Sequence, residues 1–165
     1  SDYLLNFGFT TLVQNRTEKD GSVVSDIQQP LALGGITDGI TNLEITAAYA
    51  TIANQGTYTR PVFYSQVIDS NGRVLLDNTT PTTHTVLKSS TASLLTQGMT
   101  SVITEGTGKA CALTDGMPVS GKTGTTSSAY DLWFCGYTPY LTASIWTGYD
   151  ENKELGSDQD YGQKL

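Results

Sequence analysis

Residues 116 to 126 read Gly-Met-Pro-Val-Ser-Gly-Lys-Thr-Gly-Thr-Thr, and this stretch is compatible with two different folds. Its first eight residues fit the phosphate-loop pattern G-x-x-x-x-G-K-[ST], in which a strand leads into the first glycine and a helix begins at the lysine. The residues after Lys122 are glycine, threonine and serine, which disfavour a helix, and Pro118 and Val119 favour extended backbone. The stretch therefore predicts a strand at Lys122, and a nucleotide-binding loop is kept as a remote alternative.

Local patterns predict two helices. Thr41 and Glu44 form a capping box that starts a helix at about 42 to 55, and the alanines that follow predict close packing against another element. A second, amphipathic helix is predicted between Ser89 and Ile103, before Gly106 and Gly108. Its apolar positions at helical spacing are Leu94, Leu95, Met99, Val102 and Ile103.

The remaining apolar segments predict strands. The turn Ser70-Asn71-Gly72 lies between two β-prone runs, 62 to 69 and 73 to 76, and predicts a peripheral hairpin. The tail from Glu151 to Leu165 is polar, and is either a frayed terminus or an incomplete closing helix. Three adjacent antiparallel strands are predicted at 118 to 126, 131 to 138 and 141 to 149, with the turn Pro139-Tyr140 between the last two.

Composition excludes several classes of protein. A chain of 165 residues suits one domain, and its net charge of −7, without a basic stripe, predicts that nucleic acid is not a partner. No apolar run approaches the roughly 18 residues of a membrane span, so we expect no membrane contact from this segment. Cys111 and Cys135 lack metal-ligand spacing, so neither a metal nor a cofactor is predicted. We expect buried free thiols, while a bridge between the two cysteines remains open.

Several sequence blocks around Lys122 resemble one known family. Lys122-Thr123-Gly124 is one signature of penicillin-binding proteins and serine β-lactamases. Over nearly the whole chain, the blocks and their order resemble bifunctional, class A penicillin-binding proteins. The blocks are Leu31–Gly35 with Gly39–Thr41, Leu43-Glu44 with Ala47–Ala50, Ala53–Gly56 with Tyr58, Gly106-Thr107-Gly108, Gly121–Thr126, Asp131–Pro139 and Trp146–Asp150.

The resemblance implies a fold and a position within it. We expect an α+β fold in which helices pack on a central antiparallel β-sheet, as in the penicillin-binding and serine β-lactamase-like transpeptidase fold. The chain contains neither S-x-x-K nor S-x-N, and the family places both motifs before the block at Leu31. Residues 1–165 are therefore expected to be the C-terminal part of one transpeptidase domain, without its serine nucleophile. A degenerate family member without a catalytic serine is the alternative.

The resemblance also implies roles for the residues of the predicted strand. In the family, a serine attacks the penultimate D-Ala carbonyl of a stem peptide, and an amine of a neighbouring strand resolves the acyl-enzyme. The Thr123 and Thr125 hydroxyls are expected to bind the terminal carboxylate of D-Ala-D-Ala or of a β-lactam, and the Thr125 amide to stabilise the oxyanion. Thr126 is expected to be a further substrate-binding residue. Gly124 leaves room for the substrate backbone, and Lys122 is expected to relay protons and to attract the carboxylate.

Other conspicuous side chains have plain structural interpretations. Trp133, Phe134 and Trp146 are expected in the core of the sheet rather than against a ligand. Asp131 either holds the loop after the Lys122 strand or begins the next strand in solvent. His84, among threonines and prolines, is expected in a surface loop, so no Ser/His/Asp triad is predicted.

The resemblance extends to the parent protein and its surroundings. It implies peptidoglycan cross-linking activity outside the cytoplasm, in a protein anchored to the cell membrane. Expected partners are stem peptides, β-lactams, the upstream half of the same domain and a glycosyltransferase domain. The fragment alone is predicted to be inactive. The alternative function is a non-catalytic module that binds stem peptides or partner proteins.

Overall fold

A computed structural model describes residues 2–155 of the chain. The helices are α1 (Asp2–Asn6), α2 (Asn42–Ala53) and α3 (Ser89–Thr104), with three short 3₁₀ turns at Gln29–Leu33, Lys109–Cys111 and Ser127–Ala129. The strands are β1 (Arg16–Thr17), β2 (Val23–Val24), β3 (Thr57–Thr59), β4 (Gln66–Ile68), β5 (Val74–Asp77), β6 (Thr83–Thr85), β7 (Ser120–Thr125), β8 (Asp131–Tyr137) and β9 (Thr142–Gly148).

The three predicted C-terminal strands form one antiparallel sheet in the order β7-β8-β9, as the sequence indicated. Lys122 lies opposite Cys135, and Cys135 lies opposite Ser144. The strands begin and end within one or two residues of the predicted bounds. The mixed helix and sheet architecture confirms the expected α+β class.

Helix α2 confirms the predicted capping box. The Thr41 side chain accepts a hydrogen bond from the Glu44 amide, and the Glu44 carboxylate accepts one from the Thr41 amide at 3.0 Å. The helix ends at Ala53, two residues before the prediction, because Gln55 and Gly56 adopt positive φ angles. On its sheet-facing side, Ala47, Ala48 and Thr51 are buried. These small side chains allow the close packing that the sequence predicted.

Helix α3 lies where the sequence predicts a helix, but the predicted apolar face is only partly buried: Ile103 is buried, whereas Leu94 and Leu95 are 68% and 43% exposed. Two of its hydroxyls bond to the face of the sheet that also contacts α2. Thr96 Oγ1 lies 2.7 Å from Tyr137 Oη, and Thr100 Oγ1 lies 2.8 Å from Ser120 Oγ. Helix α2 reaches the same face through a hydrogen bond between Thr46 and Ser144. Both helices therefore pack on one side of the sheet.

The predicted hairpin is present but shorter than expected. Strands β4 and β5 pair with a register irregularity at Val67/Ile68, and the turn contains Gly72 at φ +81°. Residues 62–65 lie outside β4, so the β-prone run at 62 to 69 forms a strand of only three residues. All seven residues of the two strands are exposed, so the hairpin is peripheral, as predicted.

Two expectations from the sequence concern His84 and the C-terminal tail. The first is wrong, and the second lies partly outside the described residues. His84 is wrongly predicted as a loop residue, since it lies in β6 opposite Tyr58 of β3, and its Nε2 is 2.8 Å from the Asn6 carbonyl oxygen. Three-residue strands carry too little periodicity for the sequence to reveal them. Of the tail, residues 151–155 contain no helix and the Leu155 amide donates to the Ala129 carbonyl. Residues 156–165 lie outside the described residues.

A buried carboxylate holds the N-terminal segments together. Asp26 is 4% exposed and accepts hydrogen bonds from the amides of Val13 and Thr37, both at 2.7 Å, and from the Thr37 hydroxyl at 2.6 Å. Burial alone would raise the pKa of Asp26, but these hydrogen bonds outweigh burial and hold the pKa below its usual value. The folded chain therefore prefers the ionised carboxylate.

We expect Asp26→Asn to lower the free energy of unfolding at pH 7 by about 2 kcal/mol, because a neutral amide must face three hydrogen-bond donors. Urea denaturation measures this loss. A lowered pKa stabilises the fold above the pKa of the unfolded chain, and that contribution disappears as the pH falls through the folded value. The variant should therefore lose less stability on acidification than the wild type, whereas the exposed control Asp150→Asn should match the wild type.

Candidate active site

A cavity of about 750 Å³ lies on the helix-bearing face of the sheet, beside β7. The strand segment Lys122–Thr126 forms one wall, so the structure brings all five predicted site residues to one place. Helix α2 contributes Ile45 and Tyr49, and the N-terminal segments contribute apolar side chains. The apolar residues of that N-terminal wall are Leu4, Phe9, Leu12, Leu31, Leu33, Ile36 and Ile40.

Strand β7 is an edge strand within residues 2–155, since only β8 pairs with it. The unpaired edge of a strand presents backbone donors and acceptors that an extended peptide can use. The side chains of Lys122 and Thr125 are exposed there, and Lys122 Nζ donates to the Thr123 carbonyl at 2.8 Å. An exposed cation and hydroxyl on a free strand edge can together bind a carboxylate-terminated peptide.

Thr123 differs from Thr125 in its surroundings. Thr123 is 9% exposed, and its Oγ1 lies 2.6 Å from Oγ1 of Thr107. The predicted direct contact between Thr123 and a ligand carboxylate therefore involves a hydroxyl that already has one protein partner. The alternation predicted along β7 separates the buried Thr123 from the exposed Lys122.

The glycines of β7 have different steric roles. A Cβ on Gly121 would lie 2.7 Å from Cζ of Phe134, and one on Gly136 of β8 would lie 2.9 Å from the same atom. The Phe134 ring thus covers a glycine pair, which confirms that it packs against the sheet. A Cβ on Gly124 would meet only Trp133 Cβ at 3.4 Å, an ordinary contact. Gly121 is required by packing, whereas the space at Gly124 is open to a ligand.

The turn after β7 is held by Asp131, which settles the alternative that the sequence left open. Asp131 Oδ2 accepts from the Thr126 hydroxyl at 3.1 Å, and Oδ1 accepts from Trp146 Nε1 at 2.9 Å. The Asp131 amide donates to Thr126 Oγ1 at 2.8 Å. Inside this turn, Ser128 and Ala129 have positive φ angles, which strain residues that carry a side chain. The carboxylate thus ties β7, β8 and β9 together where the backbone is strained.

Trp146 is wrongly predicted as a core residue. It is 38% exposed and lines the cavity with Trp133, the two ring centroids 6.5 Å apart. Its indole N–H donates to Asp131 Oδ1, and this hydrogen bond holds the ring beside the cavity. Periodicity along β9 does not reveal such a bond.

The phosphate-loop interpretation does not agree with this geometry. Residues 116–119 have no regular secondary structure, and the backbone from Ser120 to Thr125 is a strand. No helix begins at Lys122, so this stretch lacks the helix-terminal amides that bind phosphate in such loops. The strand prediction is confirmed.

Comparisons with known proteins agree on one family. The family described as "Penicillin binding protein transpeptidase domain" matches residues 1–164. Penicillin-binding protein 1A of Aquifex aeolicus is 40% identical over 126 residues, which cover 76% of this chain and 17% of the relative.

Solved structures give the same result. The penicillin-binding protein PonA1 from Mycobacterium tuberculosis superposes with a TM-score of 0.74 at 28% identity, over 92% of this chain and 40% of that one. A complex of PonA1 with penicillin V has a TM-score of 0.72 at 26% identity, with the same coverage.

The chain belongs to the penicillin-binding protein transpeptidase family. This confirms the resemblance to class A penicillin-binding proteins and the expected fold. The chain spans less than half of the length of these relatives. None of the helices between residues 2 and 155 has the length and apolar character needed to cross a membrane.

Two side chains at the floor of the cavity, Cys135 and Tyr49, are neutral. Burial raises the pKa of the Cys135 thiol to about 12, so it stays protonated at neutral pH and is a poor nucleophile. Burial, together with Cys135, also raises the pKa of the Tyr49 phenol.

Cys135 is not in a disulfide, which excludes the bridge to Cys111 that the sequence left open. Among residues 2–155, no group of His, Cys, Asp or Glu side chains could hold a metal ion.

Sequence reasoning missed two contacts that shape this transpeptidase-family site. In the sequence, Thr107 and Tyr49 stand out only as members of family blocks, with no role at the site. The one available signal for Thr107 was its position between Gly106 and Gly108, since paired glycines mark a close approach of the backbone. Neither contact follows from spacing along the chain.

Asp131→Ala should loosen the turn after β7, because it removes the acceptor of both the Thr126 hydroxyl and the Trp146 indole. We expect a loss of about 1 to 2 kcal/mol in the free energy of unfolding and faster hydrogen exchange at the Thr126 amide, which donates to the Asp131 carbonyl. Trp146→Phe is the matched control, since it removes only the indole bond and should leave the Thr126 exchange rate nearer to wild type. An unchanged exchange rate in Asp131→Ala would contradict the assigned role.

Proposed function

We propose that this chain is the C-terminal part of a serine-type D,D-transpeptidase domain that cross-links peptidoglycan. The observation that carries the proposal is the free edge of β7, with Lys122 and Thr125 exposed beside a cavity. A D-Ala-D-Ala stem peptide ends in a carboxylate and can lie extended along such an edge. The family match supports this assignment.

The proposed reaction is an acyl transfer. A serine outside this chain attacks the penultimate D-Ala carbonyl, the terminal D-Ala leaves, and an amine of a second stem peptide displaces the serine. The chain contributes the Thr125 amide, which donates to the oxyanion, and the Thr123 and Thr125 hydroxyls, which bind the carboxylate. Thr126 supports the same contact at the end of β7, and Gly124 admits the substrate backbone.

Lys122 has an electrostatic role in this proposal. The chain carries a net charge of −7, which repels an anionic peptide at long range. The exposed ammonium group of Lys122 offsets that repulsion locally and is available to relay a proton once it leaves the Thr123 carbonyl. This requires a second hydroxyl group from the missing S-x-N motif.

We further propose that the upstream half of the same domain occupies the cavity. Its N-terminal wall is mostly apolar, since its one acidic residue, Asp38, is paired with Arg16, and Cys135 and Tyr49 at its floor are neutral, which favours burial of another apolar element. That half would supply the serine, the S-x-x-K motif and the S-x-N motif. The chain alone would therefore be inactive.

The wider context follows from the same proposal. The parent protein would be anchored in the cell membrane, act outside the cytoplasm and carry a glycosyltransferase domain. β-Lactams would bind at β7 as substrate mimics, in line with the penicillin V complex of PonA1. No cofactor, metal or nucleic acid is required by this chemistry.

Intact mass spectrometry after incubation with benzylpenicillin tests the division of the site. The 165-residue chain alone should gain no mass, whereas the chain extended at its N-terminus to include S-x-x-K should gain one penicilloyl group. The extended chain with that serine replaced by alanine is the control. Labelling of the chain alone would contradict the proposal, and an extended chain that binds stem peptides without labelling would favour the non-catalytic module.

Thr125→Val in the extended chain tests the strand itself. The change removes the hydroxyl but keeps the amide, so we expect the acylation rate constant for benzylpenicillin to fall by about 10-fold to 100-fold, the effect of losing a hydrogen bond to a charged group. Thr125→Ser restores the hydroxyl and should recover most of the rate. Equal rates in all three proteins would exclude a contact between this hydroxyl and the ligand.

A further inference from the structure

The block Gly106-Thr107-Gly108 is packed tightly against the end of α3. The Gly106 amide donates to the Ser101 carbonyl, and the Gly108 amide donates to the Val102 carbonyl, each at 3.0 Å. A Cβ on Gly106 would lie 2.9 Å from Val102 Cα, and one on Gly108 would lie 2.9 Å from Ile103 Cδ1. Both glycines are therefore needed for the loop to lie this close to the helix.

This packing places Thr107 beside β7. Its Oγ1 is 2.6 Å from Oγ1 of Thr123, and this side-chain contact joins the loop to the strand. Thr107 is exposed and Thr123 is buried, so the pair lies at the surface with Thr123 on the inner side. A hydroxyl has one proton to donate and two lone pairs to accept with. The shared bond therefore uses the proton of one threonine and leaves the proton of the other available.

We propose that Thr107 is a positioning residue that orients the Thr123 hydroxyl toward the ligand carboxylate, an inference that rests on the proposed function. Thr107 donates to Thr123 Oγ1, and Thr123 in turn donates its own proton to the carboxylate. A chain of two hydroxyls polarises the outer donor and strengthens its bond to an anion. Thr107 thereby acts through Thr123 and does not itself need to touch the substrate.

The arrangement favours a ligand whose C-terminus is a charged carboxylate over one whose C-terminus is a neutral amide. A carboxylate only accepts hydrogen bonds, so it matches a Thr123 proton held in place. A C-terminal amide offers one neutral acceptor and two donors, and gains less from a fixed donor. The Thr107 hydroxyl therefore contributes to the discrimination between free and amidated peptide ends.

The first test needs no ligand. Three-bond couplings measured by NMR on the N-terminally extended chain, with its S-x-x-K serine replaced by alanine, report the χ1 rotamer of Thr123. We expect one rotamer in the wild type, averaging among rotamers in Thr107→Val, and a single rotamer again in Thr107→Ser. A Thr123 rotamer that is unchanged in Thr107→Val overturns the proposal.

The second test measures binding of diacetyl-Lys-D-Ala-D-Ala and of its C-terminal amide by NMR titration of the same proteins. Thr107→Val should weaken carboxylate binding by about fivefold, Thr107→Ser should restore it, and amide binding should not change. Thr123→Val should cause a similar loss, and the double variant should lose little more, because both residues act in one chain of bonds.

The outcomes separate two kinds of failure. Equal losses for the carboxylate and the amide in Thr107→Val would indicate a merely structural role and overturn this inference alone. Wild-type binding that is unaffected by Thr107→Val would do the same. If the extended chain without further substitution in β7 or at Thr107 binds neither peptide at millimolar concentration, the proposed carboxylate site on β7 is removed and, with it, this role of Thr107.

Discussion

The site depends on the antiparallel ladder between β7 and β8, which uses one edge of β7 and leaves the other open within residues 2–155. The ladder is possible at this spacing because Gly121 and Gly136 lie opposite each other beneath the Phe134 ring. A side chain at either glycine would push against that ring or against backbone. The position of the open edge of β7 therefore depends on packing against the Phe134 ring, which lies on the face of the sheet opposite the cavity.

Two supports fix this edge from opposite ends. At its beginning, Ser120 bonds to Thr100 of α3, and the loop after the same helix reaches Thr123 through Thr107. At its end, Asp131 bonds to Thr126 and to Trp146, and so closes a turn that contains two strained residues. Strain of this kind persists only where the surroundings over-determine the backbone. A strand held at both ends can present amides and hydroxyls with little reorganisation, which is what electrostatic catalysis requires.

The chemistry of the cavity is divided between its wall and its floor. The β7 wall presents Lys122 and hydroxyl groups, whereas the floor presents Cys135 and Tyr49 in their neutral forms because burial raises the pKa of both. A carboxylate is therefore favoured along the strand and an apolar element is favoured below it.

The sequence by itself determined the α+β class, the ranges of α2, α3 and the three C-terminal strands, and the family, because periodicity, capping and the blocks around Lys122 are local signals. It also identified the strand segment Lys122–Thr126 that lines the cavity. Only the tertiary structure decided that Asp131 holds the turn, that Trp146 lines the cavity and that Thr107 meets Thr123, since these contacts join side chains of different elements and no local pattern specifies them. The tertiary structure also decided the short strands, such as β6 with His84, because their pairing depends on partners that no local pattern specifies.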